Sequence, residues 1–507
     1  MNKKTAILFG FIALKFILQY ILIDSSYDLQ RDEYLHLDIG QHLAWGYQSV
    51  PPVTAWISRL IYLLGNSIFW IKFFPALFGA LTIVVVWKTI EELKGNLFAL
   101  VLGATCILFS ALLRLNTLYQ PNSLDVLCWT ALFFFIIKYF NSDNSKWIYV
   151  AALTFAFGFL NKYNIAFLLT GILPAILLTK KRKIFLKREV YYASALAFVL
   201  ILPNLLWQYD NNFPVVHHMK ILAETQLVNV DRIGFLKSQM SFFFGSLVVI
   251  IAGLYSLGTY VPFEKYRSFL WSFFFVLLIF IYFRAKDYYA IGLYPVYIAF
   301  GAVYLSHVLD KGWLRYLRPL AIGLPVLTFI PMYQFAFPNR SPEYMVVHSS
   351  MYEKLGELRW EDGKEHLIPQ DYADMLGWKE LARKVDSLLI TVPNPAQTIV
   401  ICDNYGQAGA INYYTKQGIK AVSFNADYIN WFDLDKKYLN LIRVKDDKKD
   451  DDELEKTGAY FQNSYLADSI TNKFAREFGA KIFVFTGTKI NINQRIKQEI
   501  EKDKKDD

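Results

Sequence analysis

Long apolar segments separated by short polar loops fill the first two thirds of this chain. Segments of about 20 mostly apolar residues are long enough to cross the hydrocarbon core of a bilayer, so the pattern predicts roughly eleven membrane-spanning helices. They lie at about 5–23, 68–90, 97–113, 123–140, 147–161, 164–179, 190–208, 238–260, 268–283, 288–308 and 319–336. The fifth and sixth are short for a straight crossing and are joined only by residues 161–163. A broken or re-entrant element is therefore an open alternative at that point.

The pattern changes after residue 337. The β-rich runs at 398–402 and 481–485 alternate with helical patterns such as 378–389. Strands that alternate with helices predict a small α/β domain. We therefore expect a multi-span α-helical membrane domain over residues 1–337 and a soluble α/β domain over 338–507. Its charge runs, at 446–452 and in the tail at 499–507, are expected to be solvated or disordered.

Composition supports a membrane protein. Of the 507 residues, 54% are hydrophobic and 17% aromatic, which is too apolar for an ordinary soluble protein. The three cysteines, Cys106, Cys128 and Cys402, are scattered and show neither a disulfide framework nor zinc-site spacing. The net charge of +9 lies largely in short loops between predicted spans. Membrane topology therefore explains this charge better than a nucleic-acid partner does.

The basic loops orient the predicted spans. Lys3 and Lys4 precede the first apolar segment and favour a cytoplasmic N-terminus. Alternation from there places the basic loops at 180–188, 265–267 and 311–318 in the cytoplasm, as the positive-inside rule requires. The same alternation places the loops 24–67, 114–122, 209–237 and 284–287, and everything after about residue 338, outside the cytoplasmic membrane.

An acidic cluster follows the first predicted span. It covers residues 31–38 (Arg-Asp-Glu-Tyr-Leu-His-Leu-Asp), and apolar positions recur on one face of a predicted interfacial helix over 33–44. Carboxylates held at the membrane surface can deprotonate a hydroxyl beside a lipid-borne substrate. The alternative is that Asp32 or Asp38 merely caps this helix.

The first outer loop carries several short motifs in a fixed order. Asp-Glu-Tyr lies at 32–34, His-Leu-Ala-Trp-Gly-Tyr at 42–47 and a proline pair at 51–52. Further matching stretches lie at 119–125, 162–163, 286–289, 294–295 and 404–411. In this order the motifs resemble those of glycosyltransferase family 39. These are membrane enzymes of the GT-C type and include protein O-mannosyltransferases and the aminoarabinose transferase that acts on lipid A.

The resemblance implies an inverting glycosyltransferase that moves a sugar from a polyprenyl-phosphate carrier to a lipid, glycan or protein hydroxyl outside the cytoplasmic membrane. It implies Asp32 as the catalytic base, and the chemistry agrees, because an attacking acceptor oxygen must lose its proton. Glu33 is a second candidate, for binding the sugar or the acceptor. Nothing in a single displacement requires a metal or a cofactor.

In many relatives His or Lys precedes the proline pair, whereas this chain has Ser49 and Val50, so donor identity and activity are open here.

Basic and aromatic residues after the span that ends near residue 283 are candidates for binding the donor. Arg284 and Lys286 would stabilise the negative charge that grows on the departing lipid phosphate. Tyr288 and Tyr289 would donate hydroxyl hydrogen bonds. The alternative is that the cations snorkel to the membrane surface and the tyrosines belong to an aromatic belt.

Two further ionisable residues lie beside predicted spans. An ammonium between two apolar segments is costly and usually has a partner or a role, so Lys162 is a second candidate for binding phosphate or sugar. Asp125 either orients sugar hydroxyls or caps a helix, and Arg114 either forms an ion pair with it or simply marks the loop. The adjacent His217 and His218 predict outer-loop surface, because neighbouring histidines rarely share a metal ion without other ligands.

The glycine-rich run at 405–410 follows a predicted strand and begins a predicted helix. Such a turn can cradle an anion at the helix N-terminus. Its glycine spacing is not that of the dinucleotide-binding fingerprint. Close packing of the helix against the strand is the simpler interpretation.

Two other function classes are compatible with a multi-span protein. A transporter would show inverted repeats and charges buried midway through spans, and the sequence shows neither clearly. A non-catalytic protein that binds lipid-linked sugars would keep the same motifs, and mutation of Asp32 separates it from an enzyme. The expected partners are a polyprenyl-phosphate sugar donor, a hydroxyl-bearing acceptor and membrane lipids, with no nucleic acid.

Overall fold

The computed structural model describes residues 2–446 and 452–506, with side chains up to residue 502. It divides into two compact units. The membrane unit comprises residues 1–23, 50–54 and 63–339, and the α/β unit comprises residues 24–49, 55–62 and 340–507. Most of the first predicted outer loop therefore belongs to the α/β unit, whereas the sequence pattern predicts a single division after residue 337. The charge run predicted at 446–452 lies mostly outside the described residues.

The membrane unit is built from apolar helices. In the described part of the chain, seven helices are long and apolar enough to cross a membrane. Two helices bent by 69° relative to each other, Arg232–Ser241 and Phe244–Thr259, make an eighth if they count as one span. The seven are Lys3–Ile21, Ile68–Glu92, Asn122–Ser142, Arg188–Asp210, Val261–Tyr282, Asp287–Val308 and Gly312–Ala336.

Three shorter apolar helices account for the remaining predicted spans. Leu97–Leu108, Lys146–Asn161 and Ile165–Leu177 contain 12, 16 and 13 residues, fewer than the ~17–25 residues of a typical transmembrane helix. The second of them ends at Asn161, and the extended backbone of Lys162 (ψ 129°) separates it from the third. The chain is thus broken where the sequence pattern left that alternative open. Short helices Ala111–Leu115 and Pro214–Thr225 complete the membrane unit.

Hydrogen bonds between buried polar groups attach the first helix to the rest of the membrane unit. Lys15 and Gln19 are buried, and the Lys15 ammonium donates to Gln19 Oε1. Gln19 Nε2 donates to the Asn116 carbonyl at 2.6 Å, and Asn116 Nδ2 donates to Ser123 Oγ at 3.0 Å. An unpaired polar group in hydrocarbon costs several kcal/mol, so these bonds determine which face of Lys3–Ile21 packs inward.

A five-stranded mixed sheet forms the centre of the α/β unit. Its strands are β1 (Thr398–Cys402), β2 (Val422–Ser423), β3 (Asn440–Lys445), β4 (Phe461–Ser469) and β5 (Lys481–Thr488), in the order β2-β1-β3-β5-β4. Strand β1 pairs in parallel with β2 and β3, whereas β5 pairs antiparallel with β3 and β4. Alternate residues of the strands point to one face. The core on that face includes Ile399, Ile401, Leu441, Phe483, Phe485, Ile492 and Ile496.

Helices surround this sheet and complete the α/β unit. They are Arg31–Ile39, Pro342–Val347, Ser349–Leu355, Gln370–Ala373, Trp378–Thr391, Tyr405–Tyr414, Glu453–Lys456 and Ile492–Asp506, while Val53–Leu63 crosses the boundary between the units. Helix Ile492–Asp506 includes most of the charged tail that was expected to be solvated or disordered. The predicted fold class, a multi-span helical membrane protein with a C-terminal α/β part, is confirmed.

Candidate active site

The helix Arg31–Ile39 begins with a capping box. Gln30 Oε1 accepts the Asp32 backbone N–H at 2.9 Å, and Glu33 Oε2 accepts the Gln30 backbone N–H at 2.7 Å. Reciprocal bonds of this kind satisfy N–H groups that have no partner inside the helix. The cap is therefore made by Gln30 and Glu33, and not by the Asp32 or Asp38 side chain. Glu33, a candidate for sugar or acceptor binding, is fully buried in this cap.

Asp32 lies on the first turn of the same helix with its side chain half-buried. Its Oδ1 accepts a hydrogen bond from the Tyr405 hydroxyl at 2.7 Å. Burial raises the pKa of Tyr405 far above its usual value, so the phenol stays protonated and remains a donor. A carboxylate held in a fixed orientation is suited to accept a proton from a nearby hydroxyl.

The segment before Asp32 is tied to the helix Trp378–Thr391. The Asp28 carboxylate accepts the Trp378 backbone N–H at 3.1 Å and forms an ion pair with Lys379 at 2.9 Å. The Arg31 backbone N–H donates to the Asp374 carbonyl at 3.0 Å. A carboxylate at a helix N-terminus is favoured by the helix dipole. These bonds determine where the Asp32 helix begins within the α/β unit.

Two glycines allow the helix Tyr405–Tyr414 to lie close to the Asp32 helix. A Cβ on Gly406 would lie 2.7 Å from Arg31 Cγ, and a Cβ on Gly409 would lie 2.7 Å from Tyr34 Cβ. Both distances are too short for real side chains. The glycine-rich run predicted either to cradle an anion or to pack closely thus serves close packing, here between two helices.

Asp38 lies near the other end of the Asp32 helix. Its Oδ2 accepts hydrogen bonds from the Tyr428 hydroxyl at 2.6 Å and from Asn412 Nδ2 at 2.8 Å. Burial raises the pKa of Asp38 to about 6. Asp38 therefore anchors the helix to the α/β unit, so that both ends of the segment carrying Asp32 are held.

A second buried carboxylate holds the chain that follows this helix. Asp427 Oδ1 accepts the Gln48 backbone N–H at 2.9 Å, while its buried Oδ2 has no hydrogen-bond partner among the described residues. Burial raises the pKa of Asp427 from 3.8 to about 7. The folded protein thus binds a proton here that the unfolded chain releases at lower pH. The free energy of unfolding therefore falls as the pH rises from 3.8 to about 7, the two pKa values of Asp427, and it stays low above that range.

Asp427→Asn is therefore expected to stabilise the protein at pH 8 and to have a much smaller effect at pH 4.5. The amide cannot ionise, so it avoids the cost of burying a charge. One pKa unit corresponds to about 1.4 kcal/mol, so the rise from 3.8 to about 7 sets an upper limit of about 4 kcal/mol. Relaxation and water penetration around a buried charge reduce its cost, and we expect a gain of about 2 kcal/mol at pH 8, or a few degrees in the thermal midpoint. The measurement is thermal unfolding of the detergent-purified full chain at both pH values.

Asp435→Asn is the matched control for this prediction, because Asp435 is exposed in the same unit. We expect its midpoint to follow that of the wild type at both pH values. An equal shift of the Asp427→Asn midpoint at pH 4.5 and pH 8 would contradict the ionisation argument.

In the membrane unit, Lys162 lies among polar and aromatic groups at the break between two short helices. Its ammonium donates to Asn122 Oδ1 at 2.7 Å. The same ammonium lies 4.4 Å from the centre of the Tyr289 ring and 5.2 Å from that of Tyr288. Aromatic faces attract cations when they are desolvated. Lys162 therefore has partners in a site that also includes two of the predicted tyrosines.

Asp125 belongs to the same set of residues. Its Oδ1 accepts the Trp129 indole N–H at 3.0 Å, its Oδ2 accepts Asn164 Nδ2 at 2.9 Å, and it attracts the Lys162 ammonium. Asn164 Nδ2 also donates to the Tyr289 carbonyl at 2.9 Å. Asp125 thus orients groups around Lys162. Its proposed partner Arg114 instead donates to Thr117 Oγ1 at 2.7 Å.

The two basic residues predicted after residue 283 have different surroundings. Lys286 is half-buried and close enough to Lys162 for the two ammonium groups to repel each other. Arg284 is exposed, has a left-handed backbone (φ 51°) and donates to the Val228 carbonyl at 3.3 Å. The structure thus brings together Lys162, Lys286, Tyr288, Tyr289 and Asp125, and places the Arg284 guanidinium against a backbone carbonyl.

The histidine pair lies on helix Pro214–Thr225. Burial and repulsion from Lys286 lower the pKa of His218. Within residues 2–446 and 452–506, no group of three or more His, Cys, Asp or Glu side chains is arranged to hold a metal ion. The expectation that the reaction needs no metal stays a prediction.

Sequence reasoning missed the residues that hold the predicted groups in place. Tyr405 is 373 positions away from Asp32. It lies in the stretch 404–411 that carries part of the family resemblance, but nothing in that stretch indicates that its hydroxyl contacts Asp32. Asn122 and Asn164 lie at helix starts, where asparagine usually indicates a cap. Asn122 accepts the Lys162 ammonium hydrogen bond, and such a partner could have been suspected only from the cost of placing that ammonium between two apolar segments.

Part of the chain is similar in sequence to known proteins. Residues 49–207 match the family model described as dolichyl-phosphate-mannose-protein mannosyltransferase. The lipid A galacturonosyltransferase RgtD of Rhizobium johnstonii is 28% identical over 197 residues. This match covers 38% of the chain and 41% of that relative, so it spans less than half of the relative's length.

Two crystal structures of ArnT from Cupriavidus metallidurans are similar to the whole chain. The structure bound to undecaprenyl phosphate has a TM-score of 0.62 at 12% identity and covers 95% of this chain and 98% of its own. The apo structure has a TM-score of 0.59 with the same identity and coverage. At this identity the likeness establishes the fold. Together with the family model, it confirms the resemblance inferred from the motifs.

Proposed function

Because the chain has the fold of GT-C membrane glycosyltransferases and matches one of their family models, we propose that it is a polyprenyl-phosphate-dependent glycosyltransferase. It transfers a sugar from the lipid carrier to a hydroxyl of a lipid, glycan or protein. The observation that carries the proposal is the half-buried Asp32 carboxylate, held by the Tyr405 hydroxyl on the first turn of a capped helix.

In the proposed reaction, the acceptor oxygen attacks the anomeric carbon of the donor sugar from the face opposite the lipid phosphate. The new carbon–oxygen bond forms while the bond to the phosphate oxygen breaks, and the phosphate leaves with the bonding electrons. Asp32 accepts the proton of the acceptor hydroxyl. One displacement of this kind inverts the anomeric centre and needs only one base.

We assign Lys162 and Lys286 to the donor phosphate. Their ammonium groups repel each other, and an anion bound to both relieves that repulsion through charge-assisted hydrogen bonds. Preorganised cations stabilise charge as it develops on a leaving group. Asn122 and Tyr289 orient Lys162 for this role, while Arg284 has no role in the proposal.

The proposed location is the outer face of the cytoplasmic membrane, with the N-terminus in the cytoplasm. The distribution of basic residues in the loops supports this orientation. The relative RgtD is described as acting on lipid A, which favours a glycolipid as the first acceptor to test. A glycan or a protein hydroxyl follows if glycolipids give no product.

The proposal is tested with a panel of radiolabelled polyprenyl-phosphate sugars and the purified full chain in liposomes. Each donor is incubated with and without an extract of envelope glycolipids. We expect one donor to yield labelled glycolipid and free polyprenyl phosphate in equal amounts, and only when the extract is present. Product formation is followed by thin-layer separation of the lipids.

The rival functions give different results in the same assay. Donor movement across the liposome membrane without bond cleavage indicates a transporter. Saturable donor binding without cleavage, after glycan and protein acceptors have also been supplied, indicates a non-catalytic binder. Either result would overturn the proposed enzyme activity.

A further inference from the structure

The α/β unit contains a polar cavity beside Asp32 that the proposed chemistry does not use. Its volume is about 230 Å³, several times the ≈ 30 Å³ of one water in the liquid. Pockets for drug-sized molecules span ≈ 300–1,000 Å³, so this cavity is suited to a smaller polar group. Every residue that lines it is charged or carries a side-chain amide.

Arg31 contributes hydrogen-bond donors to the cavity. Its guanidinium lies over the Tyr405 ring, 4.2 Å from the ring centre. Its Nε is buried and has no hydrogen-bond partner within the described chain. The same Tyr405 donates its hydroxyl hydrogen bond to Asp32, so the cavity residue Arg31 and the candidate base contact one side chain.

Arg476 and Asn425 add donors to the same cavity. Arg476 donates one Nη1 hydrogen bond to Asp374 at 2.9 Å, and the fork of a guanidinium has further N–H groups. Asn425 accepts the Tyr405 backbone N–H through Oδ1 at 3.4 Å, which directs its amide toward the same region.

Carboxylates provide the acceptors. Glu477 accepts Gln407 Nε2 at 2.5 Å, and Asp403 accepts Arg443 Nη2 at 2.7 Å. Asp446 also lines the cavity. The lining therefore carries two guanidinium groups and three carboxylates, and this mixture of charges favours a neutral ligand over a strongly charged one. A neutral group that both donates and accepts many hydrogen bonds is a sugar ring with its hydroxyls.

We propose that this cavity binds one neutral sugar ring of the acceptor, through its vicinal hydroxyls. The inference rests on the proposed function, because it gives the α/β unit the task of recognising the acceptor near the base. Guanidinium and carboxylate groups match pairs of adjacent hydroxyls with paired hydrogen bonds. The neighbouring Tyr405 links occupation of the cavity to the orientation of Asp32.

The test is saturation-transfer NMR of methyl pyranosides with the full chain in a detergent that has no sugar headgroup. We expect at least one neutral methyl pyranoside to bind in the millimolar range. Arg31→Met and, separately, Asn425→Ala should each weaken that binding at least fivefold, while Arg383→Ala should leave it unchanged. Arg383 is exposed on helix Trp378–Thr391 of the same unit and provides the matched control.

The outcomes separate this inference from the proposed activity. Pyranoside binding that persists in Asp32→Asn supports the sugar site even if no transfer is ever detected. The sugar site is overturned if the wild type transfers sugar but binds no pyranoside. It is also overturned if the wild type transfers sugar and both cavity variants keep its pyranoside binding. In either case the enzyme proposal stays intact. Binding of inorganic phosphate or glucuronate in place of every neutral pyranoside also overturns it, because the cavity would then be an anion site.

Discussion

Asp32→Asn should abolish sugar transfer while the protein stays folded and still binds its donor. The amide has the size of the carboxylate, and its Oδ1 can still accept the Tyr405 hydroxyl hydrogen bond. It cannot accept a proton, and a positioned general base contributes about 10²–10⁴-fold to a rate. We therefore expect kcat to fall about 1,000-fold. The measurement is the initial rate of labelled glycolipid formation, with donor binding determined separately.

Two further variants make the Asp32 result specific. Asp24→Asn removes an exposed carboxylate from the same loop and should retain the wild-type rate. Tyr405→Phe keeps the base but removes the group that orients it, so we expect a loss of about tenfold in kcat with donor binding unchanged. Equal rates for the wild type and Asp32→Asn would exclude Asp32 as the base.

Lys162→Met should lower kcat/KM by about 100-fold. Hydrogen bonds to charged groups contribute about 1.5–3 kcal/mol, or roughly 10- to 150-fold in a rate or binding constant. Methionine keeps an unbranched apolar side chain of similar length but has no charge for the departing phosphate. The variant also removes the cation that attracts the Asp125 carboxylate. Thermal unfolding therefore accompanies the kinetic measurement to separate lost activity from lost stability.

Lys138→Met is the matched control for Lys162→Met. Lys138 also lies beside a carboxylate, Glu92 at 3.2 Å, and its ammonium lies 4.5 Å from the Trp147 ring centre. Loss of its charge should lower stability to a similar degree and leave kcat/KM within about twofold of the wild type. If both variants lose activity in proportion to stability, Lys162 has a structural role and not the proposed one.

The sequence predicted the helices better than it predicted their partners. Apolar length alone identifies Ile68–Glu92 or Asn122–Ser142, because the bilayer imposes a minimum on a spanning segment. The β-rich runs in the sequence also identified β1 and β5, which contribute residues to the core of the sheet. No local pattern reports that residues 24–49 pack with residues 340–507, since that assignment depends on contacts between parts of the chain that are far apart in sequence.

The candidate site shows the same limit at the level of single side chains. Residue type indicated that Lys162 needs a partner or a role, because an ammonium between two apolar segments is costly. It could not distinguish Asp32 from Glu33, although one accepts the Tyr405 hydroxyl and the other caps the helix. That difference arises from one residue of helical rotation, about 100°, which turns neighbouring carboxylates to different surroundings.

The long separation between Asp32 and Tyr405 has a consequence for synthesis of the protein. The two residues are 373 positions apart, and a ribosome that adds about 5–20 residues per second needs roughly 20–75 s to cover that length. During this time the helix Arg31–Ile39 has already left the ribosome without Tyr405, Asn412 or Tyr428. The candidate base therefore acquires its orientation only after Tyr405 has been synthesised, and a nascent chain that stops before Tyr405 carries Asp32 without the hydroxyl that aligns it.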